Sequence, residues 1–142
     1  MSTKELSLAN SLGVIGKHFK KTMSVEVPNN LDHSMKDCRS IEFLSTGKKT
    51  MKEISDELNL TPGSTTTHID KLIENNLAIR IYDENDRRKV YIELSADGKK
   101  ICNFFKKKHI QISRDILEIL DGKDREVYVE LSEKIAGELE KK

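Results

Sequence analysis

Between Thr50 and Gly98 the hydrophobic period of the chain changes from helical to alternating and back, and few folds accommodate that order. Thr50 and Glu53 have capping-box spacing (T-x-x-E) ahead of Ile54 and Leu58, which predicts a short helix ending near Leu58. Thr61 followed by Pro62 is a second helix start: a hydroxyl cap, then proline where a missing N–H costs nothing. This helix is expected to run to about Glu74 with Thr65, Ile69, Leu72 and Ile73 inward. Asn75-Asn76 closes it, since asparagine tolerates the left-handed conformation. Only Asn59 and Leu60 separate the two helices, which predicts a steep crossing. Residues Ala78 to Tyr82 and Lys89 to Leu94 then alternate as two short strands around a tip carrying Asp86, Arg87 and Arg88. A helix–turn–helix followed by a basic-tipped hairpin is a winged helix. The expected fold class is mainly α with a small β wing.

The flanks are helical. Leu8, Leu12, Ile15, Phe19 and Met23 recur at three- and four-residue steps, and Met35, Cys38, Ile41 and Leu44 form a second stripe that ends at Gly47. Ser24 to His33, with Pro28 and two asparagines, reads as a connecting loop. After the wing, Ser95 caps a long helix with apolar Ile101, Phe104, Phe105, Ile112, Ile116, Ile119 and Leu120. Asp121-Gly122 breaks it, and a last helix carries Val127, Leu131, Ile135 and Leu139. The expected division by role is an N-terminal dimerisation helix (1–23), a winged helix–turn–helix (34–95) and C-terminal dimerisation helices (96–142), in one structural domain overall. The outer helices have more apolar surface than a winged-helix core of this size can bury, which predicts a two-fold homodimer.

Composition narrows the function classes. Lys plus Arg (25) nearly equals Asp plus Glu (24), and the region from Lys48 to Lys100 holds ten of each sign, so affinity for a polyanion must come from where cations sit. The absence of tryptophan and scarcity of aromatics weigh against a base-stacking platform. Cys38 and Cys102 lack CxxC spacing, and His33, Cys38 and His109 are scattered, so no metal site and no cofactor is expected. The N-terminal residues, with Glu5 and no long apolar run, do not read as a signal peptide, and no stretch is apolar enough to span a membrane. The expected setting is cytoplasmic. No Gly-rich phosphate loop and no nucleophile–base constellation can be named, so an enzyme is not expected.

Double-stranded DNA is the partner these elements suit. In the second helix of the pair, Thr61, Gly63, Ser64, Thr66, Thr67 and Lys71 face outward, concentrated at the end that a recognition helix pushes into the major groove. Hydroxyls there can bond phosphates or base edges, and the helix start favours an anion. A Ser/Thr-rich first turn also suits any well-capped surface helix, so the wing carries more weight. Asp86, two residues before Arg88, can hold one guanidinium in a fixed pose, and a preordered arginine fits a narrow A·T-rich minor groove. Arg87 and Lys89 can reach flanking phosphates. His68, inside this helix, reads as a packing or phosphate-contacting residue rather than a metal ligand.

From Thr50 to Ile101 the chain resembles the MarR family of winged-helix regulators. The resemblance lies in TMKEISDELNLT for the helix–turn, HIDKLIENNL for the recognition helix and its exit, and DENDRRKVYIELSADGKKI for the wing and the next helix start. Asp86-x-Arg88 corresponds to the family's wing signature, and Leu94-Ser95-x-x-Gly98 to its strand-to-helix junction. The resemblance implies a dimeric transcription regulator, most often a repressor. Its first, fifth and sixth helices would interlock, and Arg88 would lie in the minor groove of a pseudo-palindromic operator. Two departures stand out: Thr67 occupies a position where many members have a base-reading arginine, and Asn76 replaces the usual glycine. The first points to an A·T-rich operator read partly by shape.

The resemblance also implies a sensor, commonly for small lipophilic or phenolic molecules, oxidants or metals. An effector pocket would lie where the first, second and fifth helices meet the winged domain, with His18, Phe19, Met35, Arg39, Phe104 and Phe105 as candidate linings; the alternative is that these residues pack the core and the dimer seam. Cys38 and Cys102 are candidates for a thiol-based redox sensor, although Cys38 sits on an apolar stripe as a buried inert thiol would. A further alternative is a winged helix used for protein–protein contact in the transcription machinery, which the even charge distribution suits.

Overall fold

A computed structural model describes residues 1–24 and 35–142; the loop expected over Ser24 to His33 falls, after its first residue, outside the described residues. The order of elements is α1 (Thr3–Met23), α2 (Met35–Ser45), β1 (Lys49–Thr50), α3 (Met51–Leu58), α4 (Pro62–Glu74), β2 (Ala78–Tyr82), β3 (Val90–Leu94), α5 (Ala96–Ile119) and α6 (Gly122–Glu140). The chain forms two compact units, residues 1–108 and residues 109–142.

The winged helix stands as the sequence predicts. Thr50 Oγ1 accepts from the Glu53 amide, while the Glu53 carboxylate accepts from the Thr50 amide, closing the capping box of α3. Asn59 ends α3 with a left-handed φ of 53°, and Thr61 caps α4 two residues later. Asn76 is left-handed as well (φ 60°), one position beyond the α4 C-cap Asn75. Asparagine here takes the conformation at modest cost. The hairpin pairs Ala78 with Leu94, Arg80 with Ile92 and Tyr82 with Val90. A third strand was not foreseen: Lys49 and Thr50 pair with Ile92 and Tyr91, giving the sheet order β1-β3-β2. Two residues leave no period to read.

Ile41 and Leu44 of α2, Ile54 and Leu58 of α3, Ile69 and Leu72 of α4, Ile92 and Leu94 of β3, and Ile101 and Phe105 of α5 form the core. Burying each large side chain among these contributes roughly 1.5–3 kcal/mol. The inward stripe of α4 differs in one place from the expected set. Thr65, His68, Ile69 and Leu72 are buried, whereas Ile73 is only half-buried. Positions i, i+3, i+4 and i+7 share one helix face, and His68 falls on it.

In the second unit Ile112 is buried, while Ile119 and, along α6, Val127, Leu131, Ile135 and Leu139 are exposed. Asp121 caps α6, and Arg125 Nε reaches back to the carbonyls of Leu117 (2.7 Å) and Leu120 (2.8 Å), satisfying carbonyls at the end of α5. In the first unit, Leu8, Leu12 and Ile15 of α1 are exposed.

One close approach fixes the entry to α5. A Cβ added at Gly98 would stand 2.1 Å from the Leu77 carbonyl oxygen, closer than any side-chain carbon can approach. Gly98→Ala is therefore expected to destabilise the winged helix by about 2 kcal/mol or more, measured by urea denaturation followed by circular dichroism. An unchanged midpoint would contradict this packing.

Candidate nucleic-acid interface

The wing tip is built from two carboxylates. Asp83 Oδ1 accepts from the amides of Asn85 (2.8 Å) and Asp86 (3.3 Å), turning the chain after β2. Asp86 Oδ1 accepts from both the amide and Nε of Arg88 at 3.1 Å, and its Oδ2 lies 3.4 Å from Arg88 Nη2. This fork holds a guanidinium whose side chain is 92% exposed. Backbone amides, that of Asn85 foremost, hold the Asp83 carboxyl below its ordinary range; Arg88, first through its side chain and then its amide, does the same for Asp86. Both stay ionised at neutral pH. Arg87 and Lys89 are exposed on the same tip.

The N-terminal half of α4 presents Thr61, Gly63, Ser64, Thr66 and Thr67 to solvent, with Lys71 half-buried one turn on. Thr61 Oγ1 accepts from the Ser64 amide at 3.2 Å. Thr66 and Thr67 donate their hydroxyl hydrogens to the carbonyls of Pro62 (3.0 Å) and Gly63 (3.1 Å). Their oxygens therefore keep lone pairs for an incoming donor such as a base amino group, and donate to phosphate only after rotating. On the inner side Ser55 donates to Thr65 Oγ1 (2.7 Å), and Thr65 donates to the Thr61 carbonyl (2.9 Å), tying α3 to the first turn of α4.

The ten residues expected to face DNA thus fall on two exposed elements, the start of α4 and the wing tip, within the unit of residues 1–108. Sequence reasoning missed what anchors α4 from behind. Asp37 and Ser40 of α2 and His68 of α4 are all buried, with His68 Nε2 2.6 Å from Ser40 Oγ and Nδ1 3.7 Å from Asp37 Oδ1. The signal was the helical phase that puts His68 beside Thr65 and Leu72.

The residues proposed for an effector pocket are placed differently from one another. His18 is exposed and Phe19 half-buried on α1. Arg39 is exposed on α2 and donates through Nη2 to the Glu57 carbonyl at 2.7 Å, linking α2 to α3. Phe104 and Phe105 meet edge to face at 6.1 Å, with Phe105 fully buried in the core. The side chain of Met35 is outside the described residues. A cavity of about 420 Å³ does open beside α5, but its walls include Leu44, Lys48, Leu94, Lys99, Cys102 and Lys106, not those residues.

Neither thiol has the setting of a sensor. Cys102 is buried. Burial, with Glu42 and Asp37 adding to it, pushes the Cys38 thiol up to about 11, so it is protonated at neutral pH. Among the described residues no group of three or more metal-ligating side chains comes together. Among them, too, no helix is long and apolar enough to cross a membrane.

An exposed recognition helix, a short turn from the helix before it, and a hairpin with an arginine held at its tip define a winged helix–turn–helix. The MarR family model matches residues 45–90 of the chain. The chain is 29% identical over 90 residues to the uncharacterized HTH-type transcriptional regulator YwhA of Bacillus subtilis, covering 63% of this chain and 65% of YwhA. It is 28% identical over 102 residues to YfiV of the same organism, covering 70% of this chain and 63% of YfiV. The matches span just under two thirds of those relatives' lengths. Among solved structures, a MarR family protein of Bacillus stearothermophilus superposes with a TM-score of 0.77 at 22% identity, covering 98% of each chain. FabT of Streptococcus pneumoniae in complex with DNA gives 0.74 at 21%, covering 97% of this chain and 95% of FabT.

Cys38 is expected to resist alkylation by iodoacetamide at neutral pH in the folded protein and to react readily once urea unfolds it. Mass spectrometry reads this directly, and rapid modification of Cys38 in the native protein would contradict the described environment.

Proposed function

We propose that this protein is a sequence-specific DNA-binding regulator of transcription, acting as a homodimer and as a repressor. The observation that carries the reading is the Asp86–Arg88 fork, which presents a preordered cation at the wing tip of a fold whose recognition helix offers its hydroxyl-bearing start to solvent. An arginine already held in one pose loses less freedom on entering a narrow minor groove than a free one does. Thr61, Gly63, Ser64, Thr66, Thr67 and Lys71 are assigned to the major groove and its flanking phosphates, and Arg87 and Lys89 to phosphates beside the wing. That FabT, a structural neighbour, was solved with DNA bound supports the assignment of partner.

The homodimer reading rests on the apolar residues that α1 and α6 leave exposed, Leu8, Leu12 and Ile15 on one and Val127, Leu131, Ile135 and Leu139 on the other. Two recognition helices spaced about 34 Å apart would meet successive major grooves of a pseudo-palindromic operator, and an effector that changed this spacing would release DNA. The effector class is a small lipophilic or phenolic molecule. The even balance of charge favours a second reading, a winged helix that binds protein.

Fluorescence anisotropy of the DNA upstream of the protein's own gene, against a shuffled fragment, separates the two readings. Arg88→Ala is expected to weaken binding roughly tenfold or more while leaving the circular dichroism spectrum unchanged. Affinity that is unchanged in this variant would remove the wing from the mechanism. Equal, weak and salt-insensitive binding to both fragments would favour a protein partner.

A further inference from the structure

The recognition helix and the first strand of the wing are joined by an ion pair. Arg80 of β2 donates through Nη2 to Asp70 Oδ1 of α4, and both side chains stay part-exposed. Two positions further along β2, toward the wing tip, stands Tyr82, 60% exposed. We propose that the sugar–phosphate strand between the groove entered by α4 and the groove entered by the wing crosses this surface. Tyr82 donates its phenol hydrogen to a phosphate there, and Arg80 neutralises Asp70, a carboxylate that would otherwise repel that strand. This contact rests on the DNA-binding reading and adds to it a backbone crossing between the two elements already assigned.

Helix phase puts Asp70 on the side assigned to DNA. Gly63, Thr66 and Thr67 precede it by seven, four and three positions, the spacings that share one face of a helix. Those three are exposed, and Asp70 is half-buried. The outward stripe of the recognition helix therefore continues into a carboxylate, which opposes the approach of a polyanion. The cation that offsets it comes from the wing's own first strand. Only Nη2 of that guanidinium is used, so further N–H groups remain for a phosphate.

Strand register puts Tyr82 on the same side. Ala78, Arg80 and Tyr82 alternate onto one face of β2, opposite Leu94, Ile92 and Val90 of β3. On that face Ala78, Ile92 and Leu94 are buried, and Arg80 reaches α4. Tyr82 therefore projects from the face turned toward α4, about 7 Å beyond Arg80 along the strand. The core ends before it, which leaves its ring uncovered. Asp83 follows at once and turns the chain into the tip that holds Arg88. Among the described residues the Tyr82 hydroxyl makes no hydrogen bond. A phenol so placed can give its hydrogen to a phosphate oxygen while its ring covers the neighbouring sugar.

The two halves of the ion pair then act on DNA with opposite signs. A pair that only braced the wing would weaken binding when broken from either side. A pair that shields the crossing strand behaves differently. Loss of the arginine uncovers a carboxylate beside the phosphates, whereas loss of the carboxylate frees the arginine for them.

The test is fluorescence anisotropy of the full-length protein with a duplex from upstream of its own gene, at two salt concentrations, with each fold checked by circular dichroism. Tyr82→Phe is expected to weaken binding about threefold to tenfold with its salt dependence unchanged, because no charge is lost. Arg80→Gln is expected to weaken it by roughly tenfold or more, and Asp70→Asn to tighten it about twofold to fivefold. Combining Asp70→Asn with Arg80→Gln is expected to recover most of the loss. Should Arg80→Gln fail to fold, the sign of the Asp70→Asn effect decides. Unchanged affinity in Tyr82→Phe, or unchanged or weaker binding in Asp70→Asn, would overturn the inference. A wild-type protein that binds the duplex at neither salt concentration would instead overturn the DNA-binding reading beneath it.

Discussion

The wing and the recognition helix can act together because one junction holds the end of α4 against the start of α5. The Ser95 amide donates to the Leu77 carbonyl at 3.0 Å, and its hydroxyl donates to the Asn76 carbonyl at 2.6 Å. The same hydroxyl oxygen accepts from the Gly98 amide at 3.0 Å, capping the new helix, while Asn76 Nδ2 reaches Asp97 at 3.0 Å. Gly98 lies against the Leu77 carbonyl, where nothing larger than a hydrogen fits. Because Leu77 leads into β2 and Ser95 follows β3, both ends of the hairpin are tied to the exit of the recognition helix. A wing left to swing freely would lose orientational freedom at every binding event.

Much of this frame was legible in the sequence because it is written in local chemistry. Thr50 with Glu53, Thr61 with Pro62, and Asn76 each set their own helix terminus, and the alternation from Ala78 to Tyr82 marks a strand without reference to the rest of the chain. The Asp86–Arg88 pair was readable for the same reason, since its partners are two residues apart. What escaped is what tertiary packing decides. β1 is two residues long and owes its existence to β3. His68 meets Ser40 across 28 positions, and no periodicity in α4 names a partner on α2. Arg39, grouped with pocket candidates, bonds the Glu57 carbonyl of α3, and Phe105, grouped with them too, is core.

On the DNA-binding reading, a nearly neutral chain must rely on where its cations sit. The formal net charge is +1, so little long-range attraction comes from the chain as a whole. At the wing tip the exposed Arg88 is held by Asp86. Such an interface trades attraction at a distance for readiness at contact.

The most direct measurement is amide chemical-shift mapping of the isotopically labelled protein titrated with the duplex from upstream of its own gene. Simultaneous perturbation of residues 61–71 on the recognition helix and 84–89 on the wing, saturating together, is the predicted result. Saturable binding that leaves both segments unmoved, with shifts confined to α6 or to the outer face of α1, would contradict it.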